Sequence, residues 1–335
     1  PTHIESYQMI PGVRVKWLCD IVPAKAKALA EKYGVEYLAR DYRELLSDPE
    51  LDAVSICTDH ASHSPIAVAA LKARKHVLCE KALSSSFDGL KKMLDEGKRH
   101  PKIVFGGVFQ HRFDAIYPYF KKLIGDGAFG TMLTANLQMQ CLRTDAYYKA
   151  DKWRGTWSQE GGSVLINQAI HFVDSLVWMM GGAEAVSASY ANLAHKKVIE
   201  TEDAVTASLL FKSGALGSIS ATSASNLDWD QSFSLYGTKG AAEIHTGIVT
   251  LKLGDAKLQR AIERDLAKMK NADHKVGKAY YGASHPALIL DFVKAVRGEK
   301  PYAIPAKEAA HTAAVVLSVY KSHDEGRRIA IPKAF

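Results

Sequence analysis

Between residues 13 and 105, short apolar runs alternate with stretches of helix length, and that rhythm leaves few folds open. Val13 to Cys19 reads as a strand closed by Asp20, and Pro23 then opens a helix with Ala26, Leu29, Ala30 and Tyr33 on its apolar face, stopped by Gly34. Leu51 to Cys57 is a second strand, ending in Thr58 and Asp59. Ser64 and Pro65 then cap and start a helix that carries Ile66, Ala69, Ala70 and Ala73 on one side. His76 to Cys79 forms a third strand, Phe87 to Gly97 the helix after it, and Ile103 to Phe105 a fourth strand. This alternation predicts an α/β fold, a Rossmann-type doubly wound parallel sheet. Such sheets take ligands at the carboxyl ends of their strands, and the third strand delivers Glu80 and Lys81 there. A lysine in that place is either a solvated strand-end charge or a proton donor and acceptor whose pKa is lowered by burial and a cationic neighbour.

A doubly wound sheet raises the question of a dinucleotide. Gly125-Asp126-Gly127-Ala128-Phe129-Gly130 spells G-x-G-x-x-G, but the phosphate fingerprint needs a strand before it and a helix after it. Here the order is reversed, since Tyr117 to Ile124 reads as helix and Thr131 to Leu142 as strand, so a plain turn is expected. Pro1 to Ile10 reads as the body of a helix ended by Pro11-Gly12. If it is the first helix of a Rossmann unit, the glycine loop and first strand lie immediately upstream of Pro1, and an intact mass above 36.6 kDa is expected. Asp20 then falls roughly twenty residues past that loop, where an acid binds the adenosine ribose hydroxyl and disfavours a 2′-phosphate. Its plain reading is a capping or turn acid.

From about Gly127 the pattern changes to long alternating stretches: Thr131 to Gln140, Val186 to Leu193, Ala204 to Phe211, Leu216 to Ser223, Ser232 to Tyr236 and Ala241 to Leu253. Turns such as Lys212-Ser213-Gly214 separate them. The expectation is a C-terminal α+β domain, residues 111–335, with a large, mainly antiparallel open sheet after a dinucleotide domain over 1–110. A second apolar and aromatic face on that sheet would make a homodimer or homotetramer surface. One helix, Val164 to Met180, interrupts the strands, with Ile166, Ile170, Val173 and Val177 as its apolar stripe and Asn167, His171 and Asp174 as its polar one. A histidine held by a polar neighbour on a helix facing a cleft is how a general acid/base is aimed, and a surface stripe is the bland alternative. His285 to Val296 and Ala306 to Tyr320 read as closing helices, Arg328 to Ile331 as a short strand, and His311 and His323 as surface residues.

Composition narrows the classes. With 335 residues, 47% hydrophobic and 24% charged, the chain is long enough for two domains. No apolar run reaches the length of a membrane span. Cys19, Cys57, Cys79 and Cys141 show no paired spacing, so they read as small core residues of a reducing cytoplasm rather than metal ligands or disulfides. The net charge of +7 is dispersed, and its densest cluster, Lys257 to Lys278, also holds Glu263, Asp265 and Asp273, so no nucleic acid partner is expected.

Several segments in one order resemble the glucose-fructose oxidoreductase/inositol dehydrogenase (Gfo/Idh/MocA) family over essentially the whole length. They are His76-Val77-Leu78-Cys79-Glu80-Lys81, Trp153-Arg154-Gly155, Gly161-Gly162-Ser163 through Asn167 and His171 to Asp174, Cys57-Thr58-Asp59 with His63, Gln110-His111-Arg112-Phe113, and Ser284-His285 with Asp291-Phe292-Val293. The resemblance implies a two-domain NAD(P)-dependent oxidoreductase acting on a sugar, polyol or nucleotide sugar, with NAD favoured over NADP. It implies Lys81 and His171 as the catalytic pair, with His171 the principal acid/base and Lys81 polarising the reacting oxygen. Asp20, Thr58, His63, Glu80, Lys81, Gln110 and Arg154 would line the cofactor, and Arg112, Trp153, Asn167, Tyr281 and His285 the substrate, with no metal. Two departures stand out. Asn167 occupies the place of a common aspartate, so the proton role leans more on Lys81, and Ala82 follows Lys81 where the family usually has proline, so a trans Lys81–Ala82 bond is expected. An NAD-dependent glycosidase or lyase using transient oxidation, and a non-catalytic cofactor-binding protein, are the alternatives.

Overall fold

The computed structural model of the chain describes residues 1–269 and 284–333. Its first part runs α1 (Thr2–Gln8), β1 (Trp17–Cys19), α2 (Pro23–Tyr33), β2 (Tyr37–Ala39), α3 (Tyr42–Leu46), β3 (Ala53–Ile56), α4 (His60–Lys72), β4 (His76–Cys79), α5 (Phe87–Arg99) and β5 (Phe105–Gly107). Every pairing among these strands is parallel: β1 with β2, and β3 with β4 with β5. Among the described residues the two groups are not hydrogen-bonded to each other. β4 is central in its group, and Val77, Leu78 and Cys79 have no exposed surface. Burial of each such aliphatic side chain contributes about 1.5–3 kcal/mol and anchors the segment that carries Glu80 and Lys81.

Local chemistry corrects several boundaries. α4 begins at His60, one turn before Ser64 and Pro65, because the Asp59 carboxylate accepts from the Ser62 amide (3.2 Å) and hydroxyl (2.7 Å) and caps the helix. Of the strand expected over Val13 to Cys19, only Trp17–Cys19 pairs. Cys79 and Cys141 are buried, but Cys19 and Cys57 are exposed, since both stand at carboxyl ends of strands where the sheet opens.

After a 3-10 turn at Gln110–Phe113 come α6 (Ile116–Gly125), β6 (Met132–Leu142), α7 (Asp145–Lys149), a π-helical turn at Val164–Ala169 and α8 (Ile170–Met179). Then follow β7 (Ala183–Ala191), β8 (Ala204–Phe211), β9 (Leu216–Thr222), β10 (Ala224–Gly237), β11 (Gly240–His245), β12 (Ile248–Leu253), α9 (Ala256–Lys268), α10 (His285–Val296), α11 (Ala306–Glu325) and β13 (Ile329–Ala330). The eight strands lie in the order β12-β11-β10-β6-β9-β8-β7-β13, antiparallel except for β6 with β9. Gly127 and Gly130, at φ 77° and 70°, form the turn between α6 and β6, so the G-x-G-x-x-G string there is a turn. The single strand expected over Ala241 to Leu253 is a hairpin, because Thr246 and Gly247 adopt φ 48° and 88° in a two-residue turn.

One face of the large sheet carries the core. Ala135, Leu137, Met139 and Cys141 of β6 are buried on the side covered by α8. The opposite face presents Asn136, Gln138, Thr206, Ser208, Ser218 and Ser220 together with exposed Leu216 and Tyr236, so it is mixed, and only in part the apolar, aromatic surface expected. α11 packs on both β7 and β5 and so ties the two halves together. Its approach is anchored where the Gly107 amide donates to the Ile304 carbonyl (3.1 Å) and the Tyr302 hydroxyl donates to the Gly107 carbonyl (2.9 Å). Gly106 is required beside them, since a Cβ there would lie 2.2 Å from the Tyr302 ring. His311, expected on the surface, instead has its Nε2 accepting from the Ala183 amide (3.1 Å), and burial pushes its pKa down to about 4. No helix of the described residues is long and apolar enough to cross a membrane.

Candidate active site

Lys81 reaches from the end of β4 to the π-helical turn. Its Nζ donates to the Asn167 side-chain oxygen (2.6 Å) and to the Asn167 carbonyl (2.9 Å). Burial lowers the Lys81 pKa, with Arg154 and Arg143 adding to the effect, while Glu80 and Glu160 oppose it. The solvated strand-end reading of this lysine therefore does not describe it. His171 lies on α8, close enough that a charge on Lys81 bears on it. Burial first, then Lys81 and His111, hold its pKa well below the usual imidazole range, so the ring is neutral at neutral pH. Among the described residues nothing hydrogen-bonds its buried Nδ1. The T-shaped contact with the His111 ring, at 5.6 Å between centroids, packs it in place.

The polar stripe of the sequence divides here. π-helical geometry opens the turn before α8, Asn167 meets Lys81, and Asp174 turns to the interior. There Asp174 accepts two parallel bonds from Arg112, from Nε and Nη2 at 2.8 Å each. Arg112 also pairs with Glu308, and its side chain is 5% exposed. The structure thus sets Arg112 in a buried ion pair rather than at an open substrate face.

Glu80 is held by its surroundings on both oxygens. His3 Nε2 bonds Oε1 and the Lys81 amide donates to Oε2, both at 3.0 Å. Burial would raise its pKa, but the bond and charge of His3, with His285 and Lys81, hold the carboxylate well below its usual range. His285, the first residue of α10, is buried, which pushes its pKa down to about 4. Its ring stands 6.3 Å from that of His3. The Lys81–Ala82 peptide is cis, against the trans bond expected. Tertiary contacts override the local preference at this turn, where His63 Nδ1 donates to the Ala82 carbonyl at 2.7 Å. The Thr58 carbonyl is 3.2 Å from the other nitrogen of His63, and burial lowers the ring's pKa. A neutral ring donates once, and the shorter bond takes that proton. His63 therefore ties strand ends together and does not offer a free group to a cofactor.

The remaining predicted residues divide by position. Thr58 is exposed beyond the end of β3. Gln110 is 1% exposed at the start of the 3-10 turn. Arg154 binds Asp151 (2.9 Å) and lies 4.1 Å over the Tyr147 ring, beside Trp153, whose ring is 5.7 Å from His60. Tyr281 lies outside the described residues, as does the part of the basic cluster from 270 onward.

One acceptor at the end of β1 suits the ribose of a dinucleotide. Asp20 Oδ1 accepts from the Val22 amide (2.7 Å), and Oδ2 has no hydrogen-bond partner among the described residues, leaving an acceptor for a ribose hydroxyl.

Two buried carboxyls escaped the sequence reading. Glu160, 1% exposed, accepts from the Asn167 side-chain amide and from the Gly155 amide, and burial pushes its pKa up to about 7. Glu202 accepts from the Ser163 amide (2.9 Å), the Leu165 amide (3.0 Å) and the Tyr320 hydroxyl (2.9 Å), fixing the start of the π-helical turn. The signal for Glu160 is an acid directly before Gly161-Gly162 in a chain whose usual site aspartate is Asn167. Glu202 gave none, because its partners are backbone amides 37 and 39 positions away. Arg143 was also missed: it binds Gln168 Oε1 (2.7 Å) and stacks between Tyr147 and Trp229.

Comparisons with known proteins identify the family. The model of the oxidoreductase family's NAD-binding Rossmann fold matches residues 1–108, and that of its C-terminal alpha/beta domain matches residues 121–331. A myo-inositol 2-dehydrogenase of Thermotoga maritima is 31% identical over 241 residues, 71% of this chain and 70% of its own. An uncharacterized oxidoreductase of Bacillus subtilis is 28% identical over 298 residues, 88% of this chain and 82% of its own. The WlbA dehydrogenase of Bordetella pertussis, solved in complex with NADH and UDP-GlcNAcA, superposes with a TM-score of 0.89 at 25% identity, covering 99% of this chain and 94% of that one. With both halves matched in order, the chain belongs to the Gfo/Idh/MocA oxidoreductase family and carries its NAD-binding Rossmann domain.

Proposed function

We propose that the protein is an NAD-dependent dehydrogenase that moves a hydride between nicotinamide and the hydroxyl or keto carbon of a sugar, polyol or nucleotide sugar. The observation that carries this reading is a half-buried Lys81 with a lowered pKa at the carboxyl end of β4, held by Asn167 beside a neutral His171. Bound NAD supplies the hydride acceptor, which no side chain can. Lys81 takes the hydroxyl proton during oxidation and returns it to the carbonyl oxygen during reduction. His171, neutral throughout, orients the same oxygen. This gives Lys81 the principal proton role, because burial and nearby cations bring a lysine toward neutrality but drive a histidine out of the working range. Relatives named for inositol and for levoglucosan, and the WlbA complex with a nucleotide sugar, support a carbohydrate substrate.

Saturable NADH binding, followed by nicotinamide fluorescence, is the expected result, with NADPH weaker by about tenfold or more because Asp20 repels a 2′-phosphate. NADPH binding as tightly would overturn the role given to Asp20, and no binding of either nucleotide would overturn the dehydrogenase reading. A panel of sugars and polyols then identifies the substrate by NADH release.

The same reading places a homodimer or homotetramer on the open face of the large sheet. Its flat array of Ser, Thr, Asn and Gln side chains on β6, β8 and β9 suits polar sheet-on-sheet pairing. Sedimentation of the wild type should give two or four copies, and Ser208→Arg with Ser218→Arg should give monomer. A monomeric wild type would rule the interface out.

A further inference from the structure

We propose that Glu160 is the charge partner of Lys81, acting through the Asn167 amide to hold Lys81 as an ammonium facing the reacting oxygen. The inference rests on the reading of Lys81 as the proton-exchanging group. Three side chains form one line: Lys81 Nζ donates to Asn167 Oδ1 (2.6 Å), and Asn167 Nδ2 donates to Glu160 Oε1. An ammonium offers only donors and a carboxylate only acceptors, so this amide has a single orientation that satisfies both ends. The negative charge that an aspartate at position 167 would place against Lys81 is thus set one residue further back. The polarised amide carries it forward.

Packing alone does not account for a carboxyl here. Glu160 is 1% exposed, and among the described residues its carboxylate accepts two bonds, from the Asn167 side-chain amide and from the Gly155 backbone amide, while its own carbonyl accepts from His60. A buried acid in such company is costly unless its charge is used. The groups facing it are Lys81 and Arg154, which favour ionisation, and the phenols of Tyr147, Tyr148 and Tyr320, which stay neutral. Lys81 in turn faces Glu80 and Glu160 as anions, Arg154 and Arg143 as cations, and the neutral rings of His60 and His171. Of these charges Glu160 reaches Nζ through a hydrogen-bonded amide. Protonation of Glu160 frees that amide to turn, and Lys81 then gives up its proton more readily. Burial holds the Glu160 pKa near 7, so this exchange falls in the physiological range.

The test reads Lys81 directly, with neither substrate nor NAD. Only the neutral amine reacts with trace acetic anhydride, so the labelling rate of the Lys81 peptide, followed by mass spectrometry across pH, titrates the side chain. In Glu160→Gln, Lys81 should label about threefold to tenfold faster at a fixed near-neutral pH, since one pKa unit is a factor of ten. Adding Asn167→Asp to Glu160→Gln restores a carboxylate against Lys81 and should return labelling to the wild-type rate. Unchanged labelling in Glu160→Gln, or no recovery in the double variant, overturns the proposal even if the thermal midpoint has fallen. Should Glu160→Gln not fold, Asn167→Ala cuts the same link and must raise labelling likewise. The NADH titration decides the dehydrogenase reading separately, so failure of one is distinguishable from failure of the other.

Discussion

Lys81→Met is expected to lower kcat for oxidation of the best carbohydrate substrate by about 100-fold to 10,000-fold, the range of general acid–base catalysis, while NADH affinity stays within a few-fold of wild type. Methionine fills much of the same volume, so the loss reports chemistry rather than a collapsed site. Lys81→Arg should not rescue, because a guanidinium keeps its proton at every working pH. His171→Asn should cost less, about tenfold, since the imidazole is already neutral and its contribution is orientation. In the wild type the oxidation rate should climb with pH through an ionisation below the usual lysine range, because burial, Arg154 and Arg143 all favour the neutral amine that must accept the proton. The reverse reduction, which needs the ammonium, should fall through the same ionisation. A Lys81→Met enzyme that keeps kcat within tenfold, beside a His171→Asn enzyme that loses far more, would transfer the proton role to His171.

What the sequence made legible was periodic or local. The strand His76 to Cys79 is a run of apolar residues with a charged pair at its end, and it folds as read. The rejection of Gly125 to Gly130 as a phosphate loop needed only the order of elements around it. Family motifs picked out Lys81, Asn167 and His171, which the fold brings to one place. What stayed hidden depended on contacts distant in sequence. Arg112 and Asp174 are 62 positions apart, and nothing in either neighbourhood says that they pair. Asp174 sat on a polar helical stripe that a straight α-helix would have pointed at a cleft, but the π-helical turn at Val164–Ala169 precedes it and a buried arginine claims it. Glu160 went unread, since its burial comes from the meeting of β4, the π-helical turn and the loop after α7, not from any pattern of its own. His63 matched a cofactor motif, yet both its nitrogens are turned to backbone carbonyls. A motif thus identified a position, and only the hydrogen bonds identified its task.

Arg112→Leu is expected to destabilise the fold by about 3–5 kcal/mol, the cost of leaving a buried carboxylate without its cation. Asp174 is 1% exposed, and among the described residues only the Thr312 hydroxyl, at 2.7 Å from Oδ1, would still bond it from a side chain after the substitution. Arg112 also packs its guanidinium 5.1 Å over Trp178 and bonds Glu308 of α11, so the variant loosens the helix that joins the two halves. The urea midpoint should fall accordingly, whereas Arg112→Leu combined with Asp174→Leu should recover a large part of the loss, because the desolvated charge is gone. That recovery separates two uses of an arginine. If Arg112 instead met substrate, the single variant would raise KM with little change in the midpoint, and adding Asp174→Leu would not help. The expected pattern, a large stability loss repaired by removing the partner, makes Arg112 a post that holds the 3-10 turn, α8 and α11 together, and so fixes His111 against His171.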